Sequence, residues 1–137
     1  MPRRLVAFFL AATSSLTLLS VTVGAQQAIL YIAELDESDR KVLREFATYA
    51  DANPGERRQY ALGEGLVGQC AADGRRILLE NVPLDSIHVR SGLLAARARN
   101  VIALPILYEG QAKAVIELAS LHEYTASQLA FLEQLAG

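Results

Sequence analysis

Tryptophan is absent, and the 137 residues contain only one cysteine, two histidines and one methionine. A lone Cys70 excludes an internal disulfide and any zinc site built on several thiolates, and it suits a reducing compartment. The two imidazoles, His88 and His122, lie far outside the i, i+4 spacing that would set them side by side on a helix, so metal ligands are scarce. Positive charge is not in excess either. The 13 basic residues are scattered among 15 acidic ones for a net charge of −2, which leaves no electropositive footprint for nucleic acid. No Ser-His-Asp set and no carboxylate pair at a supporting spacing is present, so the chain reads as a non-enzyme. What the sequence does hold is apolar residues, 52% of the total, enough for one packed core in a single domain of this length.

Charge is missing altogether between Leu5 and Ala33. The first part of this run, Leu5 to Val23, follows Arg3 and Arg4 and has the length of a membrane span. Val23-Gly24-Ala25 has the small residues of a signal-peptide cleavage site. Two readings stand. A signal or anchor would tie the chain to a membrane through residues 5–23, or export it, as an interaction protein outside the cytoplasm. Otherwise residues 1–23 are an apolar helix of a cytoplasmic protein, leading into a domain over 24–137. Thr13, Ser14, Ser15, Thr17, Ser20 and Thr22 dilute the run and favour the second.

Further along, Gln26 to Glu34 is a short apolar run with branched and aromatic members, which predicts a buried strand, and Asp36 to Asp39 a turn. Val42, Leu43, Phe46 and Tyr49 fit a helix over Lys41 to Ala50, while length and flanks fit a second hairpin strand at least as well. Asp51 to Gln59 holds Asn53-Pro54-Gly55 and four charges, a solvated loop. Gly63 to Gly74 predicts a short helix opened and closed by glycines. A strand is expected over Arg76 to Val82, and a loop with a short helix, shaped like a lid, over Leu84 to Arg99. Asn100 to Tyr108 and Gln111 to Ser120, joined by Glu109-Gly110, predict an antiparallel hairpin that is apolar on both faces, so both must be covered. Pro105 cannot donate to a ladder and marks a bulge or an unpaired position. Thr125 is a candidate N-cap for a last helix with Leu129, Leu132 and Leu135 inward.

Four of these stretches, Gly63-Glu-Gly-Leu-Val-Gly-Gln-Cys-Ala, Arg99-Asn-Val-Ile-Ala-Leu-Pro-Ile-Leu-Tyr-Glu-Gly, Ala114-Val-Ile-Glu-Leu-Ala-Ser and Tyr124-Thr-Ala-Ser-Gln-Leu-Ala-Phe-Leu-Glu-Gln-Leu-Ala, together resemble the GAF family. They are most similar to the GAF domains of bacterial hybrid sensor histidine kinases. The resemblance implies an α+β fold: a central antiparallel sheet with the terminal helices on one face and a loop-roofed cavity on the other. It implies a non-catalytic sensory or regulatory module that binds a small molecule or relays a signal. It also implies a homodimer through the terminal helices, with any output domain outside this chain. Leu66, Cys70, Ile87, Ser91, Leu93, Ile102, Leu104 and Glu117 are the candidate pocket residues on this basis. No residue designates a cofactor. At the front the family's first helix is usually more charged than Leu5 to Val23.

Gly63-x-Gly65-x-x-Gly68 satisfies the dinucleotide fingerprint in spelling. That chemistry needs a parallel βαβ unit with a buried strand before the loop, whereas Glu56-Arg-Arg-Gln-Tyr precedes it and Glu64 would set a carboxylate beside the phosphates, so turn and helix entry is the better reading. Bilin-carrying relatives have a histidine beside the cysteine, where Ala71 follows Cys70, and a structural thiol is expected. His88 reads as a lid residue rather than a haem or metal ligand. The Asn-Lys…Phe…Asp-Glu signature of cyclic-nucleotide binders is not found. The reductase branch of the fold needs several cysteines. Glu117, inside the apolar run Ala114 to Ala119, is expected to pair with Arg97, Arg99 or Lys113, or else to be a polar anchor at the cavity floor.

Overall fold

The computed structural model describes residues 14–50, 58–80 and 100–136. Helix α1 occupies residues 14–23. Strands β1 (Gln27–Leu35), β2 (Lys41–Tyr49) and β3 (Gln59–Ala61) follow, then α2 (Gly65–Asp73), β4 (Ile77–Leu79), β5 (Asn100–Tyr108), β6 (Gln111–Ser120) and α3 (Ala126–Ala136). The strands form one six-stranded antiparallel sheet in the order β3-β2-β1-β6-β5-β4. The expected α+β architecture is therefore present, and Lys41 to Tyr49 is a strand, where its composition left a helix open.

Period-two alternation along these strands loads both faces with apolar side chains. Ile29, Tyr31, Leu43, Val101, Ala103 and Val115 face α2, which buries Leu66, Val67, Cys70 and Ala71 against them. Ala28, Ala47, Ile102, Leu104 and Leu118 face the other way, under Leu16 and Val23 of α1 and Leu132 of α3. Sequence neighbours thus serve two separate cores with the sheet between them.

Two register shifts adjust the alternation. Leu30 pairs with Ala47 while Tyr31 pairs with Glu45, so β2 carries an extra residue, Phe46. The bulge sends Phe46 and Ala47 to the same, helix-covered face and leaves Glu45 on the α2 face opposite Tyr31. A second shift lies between Ile106 and Leu107, where Lys113 is the extra residue. Pro105 itself stays in register opposite Val115.

Helix α1 is the latter part of the Leu5 to Val23 stretch. Its Leu16, Ser20 and Val23 are buried, whereas Leu18 and Val21 are exposed. Two of the hydroxyls that dilute its hydrophobicity are satisfied within the helix: Ser20 donates to the Leu16 carbonyl and Thr22 to that of Leu18, each at 2.7 Å. Among the described residues no helix is long and apolar enough to cross a membrane. At the other end Thr125 caps α3 as expected. Its Oγ1 accepts the Gln128 N–H at 3.1 Å, and Gln128 Oε1 accepts the Thr125 N–H at 2.9 Å. Of the three leucines assigned to the inner face of this helix, Leu132 is fully buried and Leu129 partly so, but Leu135 is exposed. A three-residue spacing advances about 300° per step, so Leu135 lags Leu129 by about 120° and leaves the buried arc.

Candidate functional site

The glycine-rich stretch builds the support for α2. Gly63 and Gly65 adopt φ of 84° and 65°, the left-handed region that side chains disfavour. Gly68 is glycine for lack of space, since a Cβ there would stand 2.2 Å from the Ala61 carbonyl oxygen. The loop's hydrogen bonds are turned inward: Gly63 N–H donates to Gly68 O at 2.8 Å, Glu64 N–H to Ala61 O at 3.0 Å, and the Glu64 carboxylate accepts Ala61 N–H at 2.9 Å. The strands around it are antiparallel. The parallel βαβ unit that dinucleotide chemistry needs is therefore not formed by the described strands around this loop.

On the sheet face that α2 covers, polar side chains interrupt the apolar core in one place. Arg58 precedes β3 with its side chain only 3% exposed, and its Nη1 donates to Glu45 Oε1 at 2.8 Å. Its backbone N–H also donates to Glu45 Oε2 at 3.3 Å, and its carbonyl accepts Glu45 N–H at 2.9 Å, so the pair is held by main chain and side chain together. Glu45 lies opposite Tyr31 across the bulge. Tyr31 is fully buried, its ring meets that of Tyr60 edge-on with centroids 5.7 Å apart, and its hydroxyl has no hydrogen-bond partner among the described residues. Glu117, fully buried in the middle of β6, stands opposite Ile29 and Ala103 and so diagonal to Tyr31 on the same face.

These groups share one electrostatic environment. Burial, reinforced by the Glu117 carboxylate and by Tyr60, pushes the Tyr31 hydroxyl far above its ordinary range, so it is a permanent donor. Burial also pushes the Cys70 thiol up to about 12, with Asp73 and Glu117 adding to the shift. Cys70 is thus a protonated, inert thiol at neutral pH, as the structural reading expects. Among the described residues no three potential metal ligands converge.

Of the candidate pocket residues, Leu66, Cys70 and Glu117 come together on the α2 face. Ile102 and Leu104 do not: they lie on the opposite face, in the core beneath α1 and α3. The reason is alternation, because Val101 and Ala103 are the β5 residues that face α2. Ile87, Ser91 and Leu93 fall outside the described residues, as does the lid expected over Leu84 to Arg99. So do Arg97 and Arg99, two of the partners considered for Glu117. Lys113, the third, is exposed and makes its contact to Gln111 Oε1 at 3.5 Å. Tyr31, Glu45, Arg58 and Tyr60 were not singled out in the sequence. Arg58 was hidden inside a stretch read as a solvated loop on its charge, whereas the structure buries it and begins β3 at Gln59. The signal available was Tyr31 itself, a lone hydroxyl inside the apolar run of β1.

Several solved structures share this fold. The A. aeolicus nlh2 GAF domain in an inactive state superposes with a TM-score of 0.72 at 20% identity, covering 94% of this chain and 78% of that one. The type II free methionine-R-sulfoxide reductase of Thermoplasma acidophilum gives 0.75 at 15%, covering 97% and 90%. Staphylococcus aureus NreA mutated in its nitrate binding site gives 0.73 at 18%, covering 85% and 88%. At these identities the likeness establishes a common fold. No curated protein matches the sequence. The GAF domain family, however, matches residues 12–137, nearly the whole chain, and with the sheet order and the helix placement in agreement this protein belongs to the GAF family.

Proposed function

We propose that the chain is the sensory module of a cytoplasmic signalling protein of the sensor histidine kinase kind, without catalysis of its own. It binds a small polar molecule on the α2 face of the sheet and passes the signal through α1 and α3. The observation that carries this is the Tyr31 hydroxyl, buried beside the Arg58–Glu45 pair with no hydrogen-bond partner among the described residues. Arg58 and Glu45 satisfy each other at 2.8 Å, whereas a buried hydroxyl left unmet costs on the order of 1–3 kcal/mol. The Tyr31 hydroxyl, permanently protonated, offers a hydrogen bond to an acceptor on such a ligand. Two neighbours in the fold handle small polar molecules: NreA has a nitrate binding site, and the T. acidophilum protein is a free methionine-R-sulfoxide reductase. The reductase alternative is disfavoured by chemistry, because the single thiol is buried and protonated.

Native mass spectrometry of the full chain, purified without added ligand, tests this reading. A stoichiometric small mass is expected on the wild-type protein, reduced or absent in Tyr31→Phe with the fold intact by circular dichroism. A bare wild-type mass, together with no shift in melting temperature across a panel of small anions and amino acids, would sink it.

A further inference from the structure

A second cleft lies at the β4 margin of the sheet, away from the Tyr31 face. β4 reaches only as far as Ile77, which pairs with Ala103, so on the side away from β6 no described strand flanks β5 from Leu104 onward. Pro105 sits in this stretch and brings no N–H of its own to a ladder. Gly74, at φ 64°, turns the chain out of α2 and back over the uncovered edge, close enough that a Cβ on it would meet Leu107 Cδ2 at 3.8 Å. The result is a cleft of about 390 Å³ floored by Leu104, Pro105 and Leu107 and walled by the turn Gly74–Arg76 and by Glu133 of α3. Its size falls among small-molecule sites, which run from about 300 to 1,000 Å³.

The rim carries two guanidinium groups against one carboxylate. Arg76 Nε meets Glu133 Oε1 at 3.2 Å with the two side chains 31% and 56% exposed, and Arg75 has no partner among the described residues. An apolar floor beneath a net positive rim selects a ligand with an anionic head and an apolar body, and the planar fork of arginine matches a carboxylate. The geometry points to a binding cleft for a small organic carboxylate, with its head on Arg75 and Arg76 and its body on Leu104, Pro105 and Leu107. The carboxylate competes with Glu133 for Arg76, so filling the cleft releases the tie between the sheet margin and α3. Ligand at the margin is thereby coupled to a terminal helix. This site stands independently of the sensory face, since it shares no residue with the Tyr31 group.

The test is a titration of the full chain with benzoate followed by amide chemical shifts, with benzamide as the neutral control. Benzoate is expected to give saturable shifts confined to Gly74 to Ile77, Leu104 to Leu107 and the last turns of α3, and benzamide to bind about tenfold more weakly, the worth of a charge-assisted contact. Arg75→Gln, an exposed substitution that leaves the core untouched, is expected to weaken benzoate by severalfold, and Glu133→Gln to tighten it about twofold by removing the competitor. Shifts that do not saturate, equal binding of benzamide, or weaker binding in Glu133→Gln would each overturn the inference. Shifts centred on Tyr31 and Cys70 instead would overturn it while leaving the sensory reading intact.

Discussion

Gly68 and Cys70 sit two residues apart in α2 and are constrained in opposite ways, one by geometry and one by dielectric. A methyl group on Gly68 meets a backbone oxygen that cannot swing aside, so Gly68→Ala forces α2 off the sheet edge. A loss of at least about 2 kcal/mol is expected by urea denaturation, and an unchanged midpoint would contradict the close approach. Cys70 is held protonated to about pH 12 by burial, whereas in the unfolded chain it loses its proton near 9.0. The native state therefore binds more protons than the unfolded state in between, and stability falls as pH rises from 9 towards 12. Tyr31 and Tyr124, also held protonated by burial, add to the loss above 10.0. Denaturation midpoints measured between pH 8 and 10 should decline in the wild type and stay flatter in Cys70→Ala. The same thiol should react with iodoacetamide at pH 8 only after unfolding; rapid native alkylation would show it accessible after all.

At the scale of elements, the devices that define each strand and helix differ in how locally they are written. The cap of α3 is local: Thr125 and Gln128 exchange reciprocal hydrogen bonds within one turn, and this was visible in the residue order. Thr125→Ala removes the acceptor and is expected to cost about 1 kcal/mol, seen as a drop of roughly 3–6 °C in Tm. A variant that melts with the wild type would mean that the helix is held by Leu132 and its packing alone. The β2 bulge, in contrast, is not local. Phe46 fits a helix or a strand equally well on spacing, and only pairing with β1 shows that one extra residue turns Phe46 and Ala47 to the same face and sets Glu45 against Tyr31.

At the scale of the whole molecule, α1 and α3 lie side by side on one face, with Gly24 at the end of α1 near Gln128 of α3. Leu18 and Val21 on α1 are 69% and 63% exposed, and Leu135 on α3 is 53% exposed. Exposed apolar side chains on helices of one face are the kind of surface that pairs with a second copy. We expect the full chain to sediment as a homodimer at micromolar concentration, and Leu18→Glu combined with Leu135→Glu to sediment as a monomer without a lower Tm. A wild type that stays monomeric at the highest attainable concentration would remove this route for the signal.

The order of elements was legible in the residues because it depends on period and punctuation: apolar alternation for β1, β5 and β6, glycines around α2, Thr125 before α3. The two-sided burial of the hairpin was legible for the same reason, since a strand apolar at every position needs a cover on each face. What only the tertiary structure decided is which face each of those positions serves. A one-residue offset exchanges faces, so Ile102 and Leu104 went to the helix core while Val101 and Ala103 went to the α2 face. Tertiary structure likewise gathered the polar group, because Tyr31, Glu45, Arg58 and Glu117 come from separate segments that meet only through strand pairing. The charge of Arg58 spoke for solvent. The sheet, by offering Glu45 as a partner at 2.8 Å, made its burial tolerable.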